Sequence, residues 1–180
     1  DSITGLSVGP NGEIAVAGSS ASLDFPTTPG ALSATFGGGQ GSASSDTFVA
    51  VLDASGSQLD YGTYLGGTAN EIAWGVVADT QGRITVAGVT CSPNFPVTLG
   101  AFDTTLDGCD AFVTTLDPGQ AGLAQLAAST FLGGAGVGDE ARGLLATSSG
   151  AYVVFGFAEN GFPVTAGAYD TTWSVGTRYI

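Results

Sequence analysis

One pattern recurs three times along these 180 residues, and it constrains the fold more than any single residue does. A glycine opens a short apolar stretch, a Gly-containing turn follows, then a strand-like run closing on glycine, then Phe-Pro, then Gly-Ala and a large apolar residue. The first copy has Gly5 to Val8, Asn11-Gly12, Ile14 to Gly18, Phe25-Pro26 and Gly30-Ala31-Leu32. The second has Gly75 to Ala78, Gln81-Gly82, Ile84 to Gly88, Phe95-Pro96 and Gly100-Ala101-Phe102. The third has Gly143 to Ala146, Ser149-Gly150, Tyr152 to Gly156, Phe162-Pro163 and Gly167-Ala168-Tyr169. The offsets are 70 residues from Gly18 to Gly88 and 68 from Gly88 to Gly156. Self-similarity at such a period marks a repeat architecture, in which each unit is one supersecondary motif that cannot bury its apolar face alone.

Each copy reads as four strands. In the second, Trp74 to Ala78 runs into the turn at Asp79 to Gly82, Arg83 to Val89 alternates, and a long irregular connection extends from Thr90 to Gly108. Asp110 to Asp117 forms the third strand and Ala127 to Leu132 the fourth, ending in Gly133-Gly134. The first copy repeats this second half as Asp46 to Asp53 and Tyr61 to Gly67, with a Gly-rich insert over Gly37 to Ser45 that lacks an apolar anchor and is expected to be mobile. In the third, Asp170 to Trp173 aligns with Asp103 to Leu106, so Tyr179 stands where Phe112 does and the sequence stops inside a third strand. Pro118 to Ser129 holds the one run of helix formers, and its glycines and hairpin equivalence argue against a helix. The expected architecture is therefore all-β, a partial β-propeller of four-stranded antiparallel blades over residues 1–67, 68–134 and 135–180.

Composition narrows the function classes. Three Arg, no Lys, no His and sixteen acids leave a formal net charge of −13. Such a surface lacks the cation clusters that nucleic acid or an anionic membrane requires, and His, the commonest general base and metal ligand, is missing. No apolar run reaches the ~18 residues that span a bilayer, so no direct membrane insertion is expected. With no Met and no basic leader region, the chain reads as a processed product or a piece of a longer one.

Cys91 and Cys109 lie 18 residues apart in the long connection of the second copy, outside any CxxC pattern and without His to complete a zinc site. A disulfide closing that loop implies an oxidising, extracytoplasmic compartment; the alternative is two free thiols, because the first copy has Ala21 and Ser45 near those places.

Tyr64-Leu65-Gly66-Gly67, the Gly-led first strand, the Val-Ala-Gly strand, Phe-Pro-x-Thr-x-Gly-Ala-Phe and Asp-Ala-Phe-Val-x-x-Leu-Asp together resemble the bacterial SBBP β-propeller repeat family. The resemblance covers essentially the whole chain, with Ala141-Arg142 and Thr177 as departures in the third copy. It implies a secreted or surface scaffold whose partners are further blades, from the same polypeptide, a second copy or another protein.

Asp103, Asp107 and Asp110 flank Gly108 and could offer oxygens to Ca²⁺, although their spacing is not that of an EF-hand and Asp110, like Asp46, could instead accept backbone N–H groups at its strand start. No other cofactor is implied. Phe25, Phe95 and Phe162 beside their prolines could stack on sugars or pin each loop under its blade; their recurrence favours pinning. Gly66-Gly67 and Gly133-Gly134 are connectors between blades, because a phosphate loop needs a lysine that this chain lacks. Acid catalysis on a polysaccharide would need a carboxylate outside the repeat pattern, for which Glu71 and Asp139 are the candidates, and the first expectation remains a non-catalytic module.

Overall fold

Among the described residues ten strands follow one another in sequential order along their sheets. The computed structural model describes residues 1–38, 44–136 and 138–172. In it β1 (Ser2–Val8), β2 (Ile14–Ser20), β3 (Asp46–Leu52) and β4 (Leu59–Leu65) form one antiparallel sheet in the order 1-2-3-4. The same meander recurs in β5 (Glu71–Ala78), β6 (Ile84–Thr90), β7 (Asp110–Leu116) and β8 (Leu126–Leu132), and a hairpin of β9 (Glu140–Ala146) and β10 (Tyr152–Phe157) begins a third. Strand ends differ from the sequence-derived ones by up to three residues, the largest change being β5, which starts at Glu71 rather than Trp74. The one helical element among the described residues is a single 3-10 turn, Gly122–Gln125, within the stretch of helix formers. Positions 39–43 of the Gly-rich insert, and 173–180 with the expected third strand of copy three, lie outside the described residues.

The local chemistry is the same in each copy. The first hairpin closes through Gly12 at φ 88°, Gly82 at 78° and Gly150 at 82°, a region costly for residues with a Cβ. The first strand then bulges, between Ile3 and Gly5, between Ala73 and Gly75, and opposite Phe155/Gly156 in the third copy. At the bulge a main-chain carbonyl turns into the second strand: a Cβ on Gly18, Gly88 or Gly156 would fall well inside 3.0 Å of the carbonyl of Ser2, Ile72 or Glu140. This crowding is why the Val-Ala run must end in glycine.

The sheets stack face to face. β5 lies against β1 and β2, and β9 lies against β5 and β6. Between the first two sheets, Ala15, Ala17, Val49, Tyr61 and Leu65 meet Ala73, Val76, Phe112 and Phe131 in the main core. A second cluster joins Ala87, Ala111 and Val77 to Ala141, Leu144, Tyr152 and Val154 of the third. Every residue of β6 is buried, because that sheet is covered on both faces.

Candidate functional site

The junctions between sheets concentrate the buried polar chemistry, and they follow the repeat. Glu71 begins β5 and Asp46 begins β3 of the preceding sheet, and both are essentially fully buried. They meet across Gly66: a Cβ there would sit 2.6 Å from Glu71 Oε2 and 3.0 Å from Asp46 Oδ1. The Gly-Gly connector is therefore glycine because two carboxylates press on its Cα, not because its backbone is left-handed. Gly67 N–H donates to Glu71 Oε2 at 2.9 Å, Thr90 Oγ1–H to Glu71 Oε1 at 2.7 Å, and Gly37 N–H to Asp46 Oδ2 at 2.7 Å. Asp46 Oδ1 is buried and accepts no hydrogen bond from the described residues.

The second junction reproduces this arrangement one repeat later. Asp110 and Asp139, both buried, meet across Gly133, where a Cβ would sit 2.6 Å from Asp110 Cγ and 2.9 Å from Asp139 Oδ2. Asp139 accepts from Gly134 N–H at 2.9 Å and Glu159 N–H at 2.7 Å, Asp110 Oδ2 accepts from Asp107 N–H at 3.0 Å, and Asp110 Oδ1 again has no partner among the described residues. Burial pushes both Asp46 and Asp110 up to about 6, aided at Asp46 by the charge of Glu71 and at Asp110 by Asp139, Asp103 and Asp107, while hydrogen bonds from Gly37, Gly38 and Asp107 oppose the rise. Glu71 and Asp139 are thus repeat-equivalent and not exceptions to the repeat, since each accepts from the second glycine of its connector. The signal that would have found the pairs is their double periodicity, 46 to 110 and 71 to 139.

The residues singled out for calcium are dispersed in role. Asp107 is exposed, Asp103 caps its own turn by accepting Thr105 N–H at 2.8 Å, and Asp110 is turned toward Asp139. Among the described residues no three carboxylates are grouped to hold a metal ion. Cys91 and Cys109 form a disulfide, just beyond the last β6–β7 pair, Thr90 opposite Asp110. That bond hints at an oxidising environment. Among the described residues no helix is long and apolar enough to cross a membrane.

The Phe-Pro phenylalanines face inward. Phe95 is 3% exposed and packs at 4.7 Å on Phe112 and 6.1 Å on Phe131. Phe25 stacks at 4.5 Å on Phe48 and 5.6 Å on Tyr64, yet stays half-buried, because none of the described sheets packs on its side of the first sheet. At the second junction Arg142 lays its guanidinium 4.1 Å from the Trp74 ring while pairing with Glu140 at 2.5 Å, a contact specific to the third copy.

The outer faces complete the picture. Gly5, Ser7, Ala15 and Ala17 form the face that the second sheet covers, and Gly75, Val77, Thr85 and Ala87 form the face that the third covers. The equivalent face in the third copy is Gly143, Leu145, Val153 and Phe155, with Leu145 59%, Val153 47% and Phe155 47% exposed. At the other end Ile3 and Leu6, equivalent to buried Ala73 and Val76, are 63% and 64% exposed. No family model matches the chain, and no curated protein matches it either.

Proposed function

We propose that this chain is a non-catalytic scaffold or interaction module of an extracytoplasmic protein, a segment of a β-propeller of the SBBP repeat type whose partners are further blades. One observation carries the reading: the face of the third copy that would take the next sheet is apolar and bare, and so is the face of the first that would seat on a preceding one. Covering a few hundred Å² of such surface is worth several kcal/mol at roughly 25 cal/mol per Å². The stacking of consecutive sheets through their first strands and the disulfide agree with this reading. Glu71 and Asp139, the carboxylates with the best claim to catalysis, are fully buried and out of reach of a polysaccharide.

Sedimentation of the 180-residue chain at micromolar concentration tests this. Concentration-dependent association, abolished by L6D together with F155D while the fold is kept, is the expected outcome. A well-melting monomer at all concentrations would remove the basis for it. A second reading, saccharide binding, has its own observation: Phe102 and Tyr169, equivalent in the Gly-Ala-aromatic motif, are 71% and 107% exposed. A glycan array separates the two, since a scaffold gives no saccharide-dependent signal.

A further inference from the structure

Asp46 and Glu71 form a buried two-carboxylate site that no positive side chain among the described residues neutralises. Tyr64 and Asp24 are the other ionisable groups that sense this locality, Tyr64 from β4 and Asp24 from the loop after β2, and Asp1 stands nearby, bonded to the Ser20 hydroxyl at 2.6 Å, with Ser20 paired to Asp46 across β2 and β3. None of these groups carries a positive side chain. Arg83 and Arg142 are engaged elsewhere, with Asp79 and Glu140.

Two bare anions pressed together out of water would repel strongly, so something positive must enter. The donor pattern indicates what fits. Three of the four carboxylate oxygens already accept an N–H or O–H, and among the described residues Asp46 Oδ1 alone has none. It and Glu71 Oε2 both border the space that a Gly66 Cβ would take. Ca²⁺ would need six to eight oxygens and space around them, whereas a proton needs neither. We infer that Asp46 and Glu71 bind one proton between them, carried on Asp46 Oδ1, and that this proton fastens the first sheet to the second. The repetition of the same geometry at Asp110 and Asp139, down to the single unpartnered Oδ1, argues for a device rather than an accident.

The site sits where the sheets are tied. Glu71 N–H donates to the Ser45 carbonyl at 2.7 Å, Ser45 Oγ–H to the Glu71 carbonyl at 3.0 Å, and Asn70 Oδ1 accepts from Ser45. Loss of the proton to solvent places two like charges inside that tie. A carboxyl harder to ionise folded than unfolded stabilises most when protonated. Its contribution is complete below the unfolded value of 3.8 and is lost as pH rises through about 6, so the junction weakens toward neutral pH.

Carbon-detected NMR titration of the full chain tests this directly. The Asp46 carboxyl is expected to titrate near pH 6, above the ordinary carboxylate range, and E71Q should bring its midpoint down. Asp46→Asn, which fixes the protonated shape, should melt higher than the wild type at pH 8 and equally at pH 4, with D60N as the control for general charge. Asp46 already ionised at pH 5 would overturn the inference. So would calcium, added at fixed pH, shifting the Asp46 resonance and raising the melting temperature in a way that D46N abolishes. If D46N fails to fold, the wild-type titration alone decides.

Discussion

Replacing Gly88 by alanine tests the reasoning about the repeat glycines at its most exposed point. The added Cβ would meet three backbone atoms: the Ile72 carbonyl oxygen well inside 3.0 Å, Ala73 Cα at 2.8 Å and Ile72 C at 2.9 Å. Restoring ordinary contact at 3.4 Å requires the β5 bulge to move by more than half an ångström. That bulge is clamped, since Ala73 is fully buried in the main core and Gly88 lies in a strand covered on both faces. Overpacking of this kind costs about 3 kcal/mol or more. Alanine regains ~0.7 kcal/mol by restricting the unfolded chain, leaving a net loss of about 2 kcal/mol or more, or roughly 4–8 °C in a chain of this size. Gly82→Ala provides the comparison: its φ of 78° is unfavourable but nothing lies within 4 Å, so about 1 kcal/mol is expected. Gly18→Ala has the same collision as Gly88→Ala, with the Ser2 carbonyl, but at an exposed strand end that can yield, and should fall between the two. Equilibrium urea unfolding of the three variants gives the order. A Gly88→Ala protein as stable as Gly82→Ala would refute the claim that the bulge carbonyl dictates glycine.

Two further outcomes are expected. Reducing the Cys91–Cys109 bond should cost about 3 kcal/mol for the 18-residue separation it closes, read as a lower urea midpoint, with the first sheet's amide exchange much less affected than that of β6 and β7. Phe95→Ala should destabilise by about 4 kcal/mol and Phe25→Ala by about half as much, because only Phe95 is covered by a preceding sheet; equal losses by thermal melting would contradict the assigned burial.

The strand order was legible because the glycines at 18, 88 and 156 and the turns at 12, 82 and 150 recur in register with the apolar runs. Each of these features is local, and a repeated local signal is self-confirming. The disulfide was legible for a similar reason, since both cysteines flank one connection. The acid pairs were not. Asp46 and Glu71 belong to different copies and meet only because the sheets stack, so neither spacing nor composition brings them together. Copy-by-copy reading hid them further by treating Asp46 and Asp110 as strand-start caps and Glu71 and Asp139 as outliers. Inward-facing Phe95 was only half legible: the recurrence of Phe-Pro pointed to a structural use, while the difference between Phe25 and Phe95 depends on which neighbour each copy has.

The likeness of one junction to the next has a consequence for how such a chain can assemble and change. Ala17 receives Ala73 and Val76 as Ala87 receives Ala141 and Leu144, 68 to 70 residues later. Inserting or deleting one whole unit would leave every remaining joint with suitable chemistry, so length is free to vary without redesign. The same freedom is a hazard on refolding. A half-folded copy offers its face as readily to the wrong unit of a neighbouring molecule as to its own successor, and crowded refolding should yield swapped, entangled species before it yields disordered aggregate.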